Sequence, residues 1–167
     1  LAKVFGELYF LLEYRNRAVR LLYGTEGDPG FDLPQNLVII GTMNTADRSI
    51  ALVDTAMRRR FWFIELHPDS EPVASVLRRW LRHHGLSDTS ARLLDQLNHL
   101  IDDRDFRIGP SYLMRESIHS SSKGLERVWR HQILPLLEEH HYGDGTDVFA
   151  RYGLAALRDS LGLDEHP

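Results

Sequence analysis

The chain of 167 residues contains no cysteine, which excludes both a disulfide framework and a thiolate zinc site. No apolar run approaches the ~18 residues that a membrane-spanning helix needs. The first residues also lack the charged-then-apolar layout of a signal peptide, so the sequence reads as cytoplasmic and membrane-free. Neither sign of charge dominates: 20 Lys+Arg against 24 Asp+Glu leave a formal net charge of −4, which argues against a domain that coats nucleic acid. There is no G-x-x-x-x-G-K-[ST] stretch and no apolar strand ending in Asp-Glu, so nothing in these residues cradles a triphosphate or holds a magnesium water shell. Disorder is excluded too, because 43% hydrophobic residues suffice for a core. At this length folding removes roughly 70% of the unfolded chain's surface from water.

Apolar periodicity divides the chain in two. Val4, Phe5, Leu8, Leu11 and Leu12 recur at helical spacing and predict a helix to about Glu13, already under way at Leu1. The expectation is a chain cut at its front end, the C-terminal portion of a longer product. Residues 18–23 form a short apolar run before the Gly24–Gly30 loop. Leu37-Val38-Ile39-Ile40 has no polar alternation, as expected of a parallel strand covered on both faces, and Phe61–Leu66 predicts a second strand. Between them, residues 50–57 predict a short helix behind the N-cap candidates Thr45, Asp47 and Ser49. Beyond residue 66 the pattern is helical: about 71–84, 89–103, 123–140 with a kink at Pro135, and 149–161. Trp80 and Trp129 fall on apolar helix faces as core residues, and Trp62 reads as a strand residue packed under the helical part or a subunit contact.

Two stretches carry chemistry. Gly41–Ser49 lies where a buried strand stops and a helix begins, the end of an open α/β sheet at which ligands bind. The carboxamide of Asn44 both donates and accepts, which suits positioning a water against a phosphoryl group, and Asp47 can accept from that water or from an arginine. Capping of a turn and a helix accounts for the same residues. Arg58-Arg59-Arg60 closes a helix immediately before a strand. A forked, permanently charged guanidinium can stabilise a transferring phosphoryl group, worth ~10³–10⁵ in rate; complementing the helix dipole is the alternative. The adjacent histidine pairs His83-His84 and His140-His141 do not share a helix face, so no metal site is expected.

Taken together, Met43-Asn44-Thr45-Ala46-Asp47-Arg48-Ser49, the Asp54–Phe61 segment with its three arginines, and Ile133–Glu139 with Tyr142-Gly143-Asp144 resemble the McrB-type AAA+ NTPases, motor subunits of modification-dependent restriction systems. The resemblance runs from Leu1 to about Asp144. The layout is also similar to MoxR-like ATPases with a chaperone-like role, which lack so complete an MNTADRS run. The fold implied is α/β: the C-terminal part of an AAA+ P-loop module with a partial parallel sheet (1–66), followed by an all-helical lid subdomain and tail (67–167). The P-loop and Walker B motifs are expected upstream of Leu1. The P-loop strand is expected between the two strands seen here.

The resemblance implies roles residue by residue. Asn44 matches sensor 1, with Thr45, Asp47 and Arg48 in the same signature. Arg59 and Arg60 match arginines that reach the nucleotide of the adjacent subunit, with Arg58 beside them. Phe106–Tyr112, including Gly109, Pro110, Ser111 and Tyr112, matches the lid segment over the nucleotide, where Arg107 is available as a second sensor or belongs to a buried turn. The implied cofactor is Mg²⁺ with GTP or ATP. The implied partners are further copies in a hexameric ring, an McrC-like nuclease subunit, and DNA bound through domains other than these. A non-catalytic remnant or assembly module that contributes only arginines in trans is the alternative.

Overall fold

The computed structural model describes residues 2–21, 27, 29–43 and 58–163. The expected helix at 50–57 and the whole of 44–49 lie outside the described residues. The chain divides into two compact units, Leu1–Ile64 and Glu65–Pro167.

In the first unit, helix α1 (Ala2–Glu13) buries Leu11 completely, and Phe10 packs its ring 4.8 Å from that of Tyr14. Two short strands follow, β1 (Ala18–Val19) and β2 (Phe31–Asp32). They pair antiparallel, Ala18 opposite Asp32 and Val19 opposite Phe31. Gly30 turns the chain into β2 at φ +91°, a left-handed conformation that a side chain would strain.

The expected parallel sheet is not found among the described residues, and this corrects the strand assignments. Residues 37–40 and 61–66 form no strand, with Val38 77%, Ile40 88%, Ile64 79% and Trp62 98% exposed. Apolar β-branched content favours a strand only when a neighbour takes up its N–H and C=O groups. Neither segment has a neighbouring strand among the described residues; Leu37 instead donates to the Pro34 carbonyl at 3.1 Å and accepts from Arg15 at 3.1 Å. Trp62 is correspondingly not packed.

The second unit is helical, as the pattern beyond residue 66 requires. Helix α2 (Val76–His83) buries Leu77 and Leu81, and α3 (Thr89–Leu100) buries Leu93, Leu94 and Leu97 at three-and-four spacing. Two 3₁₀ turns, Arg104–Phe106 and Pro110–Leu113, lead to the short α4 (Glu116–His119). The predicted 123–140 helix is one run in three parts: α5 (Ser122–Val128), a π-turn (Trp129–Ile133) and α6 (Leu134–His140). Pro135 lacks an N–H, and its ring crowds the carbonyl four residues back. The helix widens into the π-turn immediately ahead of it.

The predicted 149–161 helix is instead two, α7 (Val148–Tyr152) and α8 (Leu154–Leu161), broken at the extended residue Gly153. A Cβ at 153 would collide with the Phe149 carbonyl oxygen. Trp129 is 1% exposed and its indole N–H donates to the Tyr152 carbonyl at 2.9 Å, which ties the π-turn to α7. Trp80 packs at the edge of the same core.

Candidate functional site

The arginine-bearing end of the first unit is built on α1. Its last turn presents Tyr9 and Glu13 to Arg60, whose guanidinium is ion-paired with the Glu13 carboxylate and lies 5.4 Å from the centre of the Tyr9 ring. Arg58 lies 5.5 Å over the Phe63 ring. Arg59, between them, is exposed. The three guanidiniums thus have different surroundings: one salted to a carboxylate, one over an aromatic face, one facing water.

In the second unit, residues 104–113 are held from both sides. On the inner side, Asn98 of α3 bonds Ile108 twice: its amide N–H donates to the Ile108 carbonyl at 2.9 Å, and its carbonyl accepts from the Ile108 N–H at 2.7 Å. Both residues are buried. A buried carboxamide with both functions satisfied fixes a loop without a strand.

On the outer side, residues 65–69 form a polar strap. Arg104 donates to Glu65 at 2.8 Å and Asp69 pairs with Arg107. His67, 8% exposed, donates from Nε2 to the Arg104 carbonyl at 3.0 Å; its Nδ1 accepts from the Asp69 amide at 3.2 Å, which sets the tautomer. The hydrogen bond from Arg104 and its positive charge lower the Glu65 pKa from the usual carboxylate value. Gly109 is extended, Pro110 opens the second 3₁₀ turn, Ser111 is exposed, and Tyr112 packs against the edge of the core.

A third polar group closes α6. His141 Nδ1 lies 2.6 Å from an Asp144 carboxylate oxygen, and its Nε2 lies 2.9 Å from the Tyr152 hydroxyl. The bond from His141 lowers the Asp144 pKa to about 2, helped by the Thr146 amide, while burial raises that of Tyr152. Among the described residues no three His, Asp or Glu side chains stand close enough together to hold a metal ion, and no helix is long and apolar enough to cross a membrane.

The family model of the McrB alpha-helical lid domain matches residues 89–148, which run from the start of α3 to the start of α7. The chain is also 35% identical over 159 residues to the Type IV methyl-directed restriction enzyme EcoKMcrB subunit of Escherichia coli strain K12. That alignment covers 86% of the chain, more than either unit contains alone, so it extends across both. The chain is of McrB type. It spans 35% of the length of that relative.

Within the McrB-type lid, Gly109, Pro110, Ser111 and Tyr112 lie consecutively on the turn that Asn98 clamps. Arg107 is engaged with Asp69. Asn44, Thr45, Asp47 and Arg48 lie outside the described residues, and Arg58, Arg59 and Arg60 belong to the first unit. Sequence reasoning missed Asn98 and the strap. The available signal for Asn98 was a carboxamide directly after Leu97 on an otherwise apolar face. For the strap there was no periodic signal, because the chain turns at residues 68–69 and strand alternation does not apply there.

Proposed function

We propose that this chain supplies sensor 1, the trans-acting arginines and the helical lid of a ring-forming AAA+ nucleoside triphosphatase. With Mg²⁺ and GTP or ATP, that enzyme would drive a modification-dependent DNA restriction system together with an McrC-like nuclease. The observation that carries the reading is the match to the McrB lid, joined to an identity with a restriction-enzyme subunit that runs through both units. These 167 residues contain no P-loop, so phosphates would be held by other sequence of the same or a neighbouring subunit. In this reading Asn44 orients the attacking water and Asp47 supports it. Thr45 and Arg48 line the same site, Gly109–Tyr112 closes over the nucleotide, and Arg59 reaches across the subunit boundary with Arg58 and Arg60 beside it. Arg59 is favoured for the crossing because it is exposed, whereas Arg60 is paired with Glu13.

The test is GTP and ATP turnover by the gene product read from its start codon, beside the 167-residue chain. Arg59→Ala should leave nucleotide binding nearly intact and cut turnover by ~10³-fold or more. Mixing it with a P-loop-defective subunit should restore part of the rate. Asn44→Ala should lower turnover at nearly constant affinity. A large affinity loss at constant turnover would remove the sensor assignment. An assembled ring without turnover on either nucleotide would favour the non-catalytic assembly module.

A further inference from the structure

The ring of His67 makes both of its hydrogen bonds in one protonation state alone. Its Nε2 faces the Arg104 carbonyl at 3.0 Å and its Nδ1 faces the Asp69 amide N–H at 3.2 Å. A carbonyl only accepts and an amide N–H only donates, so the two bonds coexist in a neutral ring with its proton on Nε2. A second proton, on Nδ1, would set N–H against N–H. The residue is 8% exposed, so little water is at hand to accept from the ring instead.

An acceptor for that second proton lies close by. The Asp69 carboxylate oxygen Oδ2 is 3.8 Å from Nδ1, and it is the same oxygen that pairs with the Arg107 guanidinium. One oxygen thus stands between an imidazole and a guanidinium. While His67 is neutral it belongs to Arg107, whereas a protonated ring, having lost the Asp69 amide, competes for it as a second cation. The charged groups around His67 are Glu65 and Asp69 on its own segment and Arg104 and Arg107 on the facing turn. Two carboxylates paired with two guanidiniums balance, which leaves the outcome to the hydrogen bonds. Of the other carboxylates on that turn, Asp103 accepts from the Asp105 amide at 3.1 Å and Asp105 is exposed. His140 of α6 also touches the turn, its ring stacked on that of Phe106 at 3.8 Å.

From this geometry we infer that His67 is a proton-operated latch. Neutral, it fastens residues 65–69 to the 104–107 turn; protonated, it draws the Asp69 carboxylate away from Arg107 and loosens the turn. The fastening is present at high pH and is lost as pH falls through the titration of the ring. The latch is made of contacts within the second unit and does not rest on the nucleotide reading.

The experiment is an NMR titration of the 167-residue chain from about pH 8 to about pH 5, the span over which histidine ordinarily changes charge. It reads the ring signals of His67 and His140, the Arg107 Nε–H signal, and hydrogen exchange of amides 104–109 corrected for its intrinsic pH dependence. Protection of these amides should fall about fivefold as the His67 ring takes up its proton, the loss expected for one hydrogen bond. The Arg107 signal should move with the same midpoint. In His67→Gln, whose amide takes up no proton in this span, protection should not vary with pH. The inference is overturned if the amides keep or gain protection while the His67 ring titrates, or if the ring stays neutral throughout. A change that follows the His140 midpoint and survives in His67→Gln would overturn it in favour of the Phe106 stack.

Discussion

Asn98 treats Ile108 as one strand treats its neighbour, giving and taking a backbone hydrogen bond inside the core. Asn98→Leu would leave a buried N–H and a buried C=O unpaired. It should cost about 2–6 kcal/mol in urea unfolding, the sum expected for two stranded groups. Asn98→Asp keeps the acceptor for the Ile108 N–H and sets a carboxylate against the Ile108 carbonyl, so it should be no milder. Asp144 gives a pH dependence with a definite sign. Its folded pKa is depressed from 3.8 to about 2, so its contribution is present above pH 3.8 and is lost as pH falls through that interval. Melting temperatures of the wild type and Asp144→Ala should therefore differ most above that window and converge toward its lower end. Parallel curves would show that the His141 contact does not hold the carboxyl proton-free.

At the scale of elements, two helices approach so closely that only a missing side chain fits. A Cβ on Gly124 of α5 would collide with the Ile118 carbonyl at α4. Gly124→Ala should cost about 1–3 kcal/mol through the forced shift, despite alanine's better helix propensity. Helices were the legible part of the sequence. The stripes of Leu93, Leu94 and Leu97 and of Trp129, Ile133 and Leu137 read directly as faces of one core, because helical hydrogen bonds are internal to the segment. The strands were not legible in the same way. Val38, Ile40 and Ile64 have strand composition, yet a strand's hydrogen bonds belong to its neighbours, and composition does not say whether a neighbour is present. The break at Gly153 was missed because periodicity does not register a single glycine leaving the helical conformation, at a position where a side chain would meet the Phe149 carbonyl. Of the proposed site, the residues on the 109–112 turn could be read from the family motif, whereas Asn98, which positions it, is a contact between distant segments. The strap adds a further expectation. Asp69→Asn should raise amide exchange at 104–109 and leave that of α8 unchanged, because the residue Asp69 engages is Arg107, in the first of these segments and not in α8.

For the molecule as a whole, burial is uneven. The large apolar cluster lies within residues 65–167, whereas Leu11 and Leu33 are the buried apolar residues described in 1–64. Hydrogen exchange should follow this division. The slowest amides should lie in α3 and α6, and those of 37–43 and 61–66 should exchange at nearly the free-peptide rate. Strong protection of 61–66 in the isolated chain would mean that a pairing partner exists within it.

The three tryptophans of the chain are also unequal. Trp129 is sealed in the core, Trp80 is half-buried, and Trp62 is 98% exposed on the unpaired 61–66 segment, two residues beyond Arg60. A quencher such as acrylamide should therefore reach Trp62 first and Trp129 last. Any partner that covered 61–66 would shift the emission of Trp62 to the blue and shield it from the quencher. Trp62 would thus report optically, without a label, any covering of the segment that follows the three arginines.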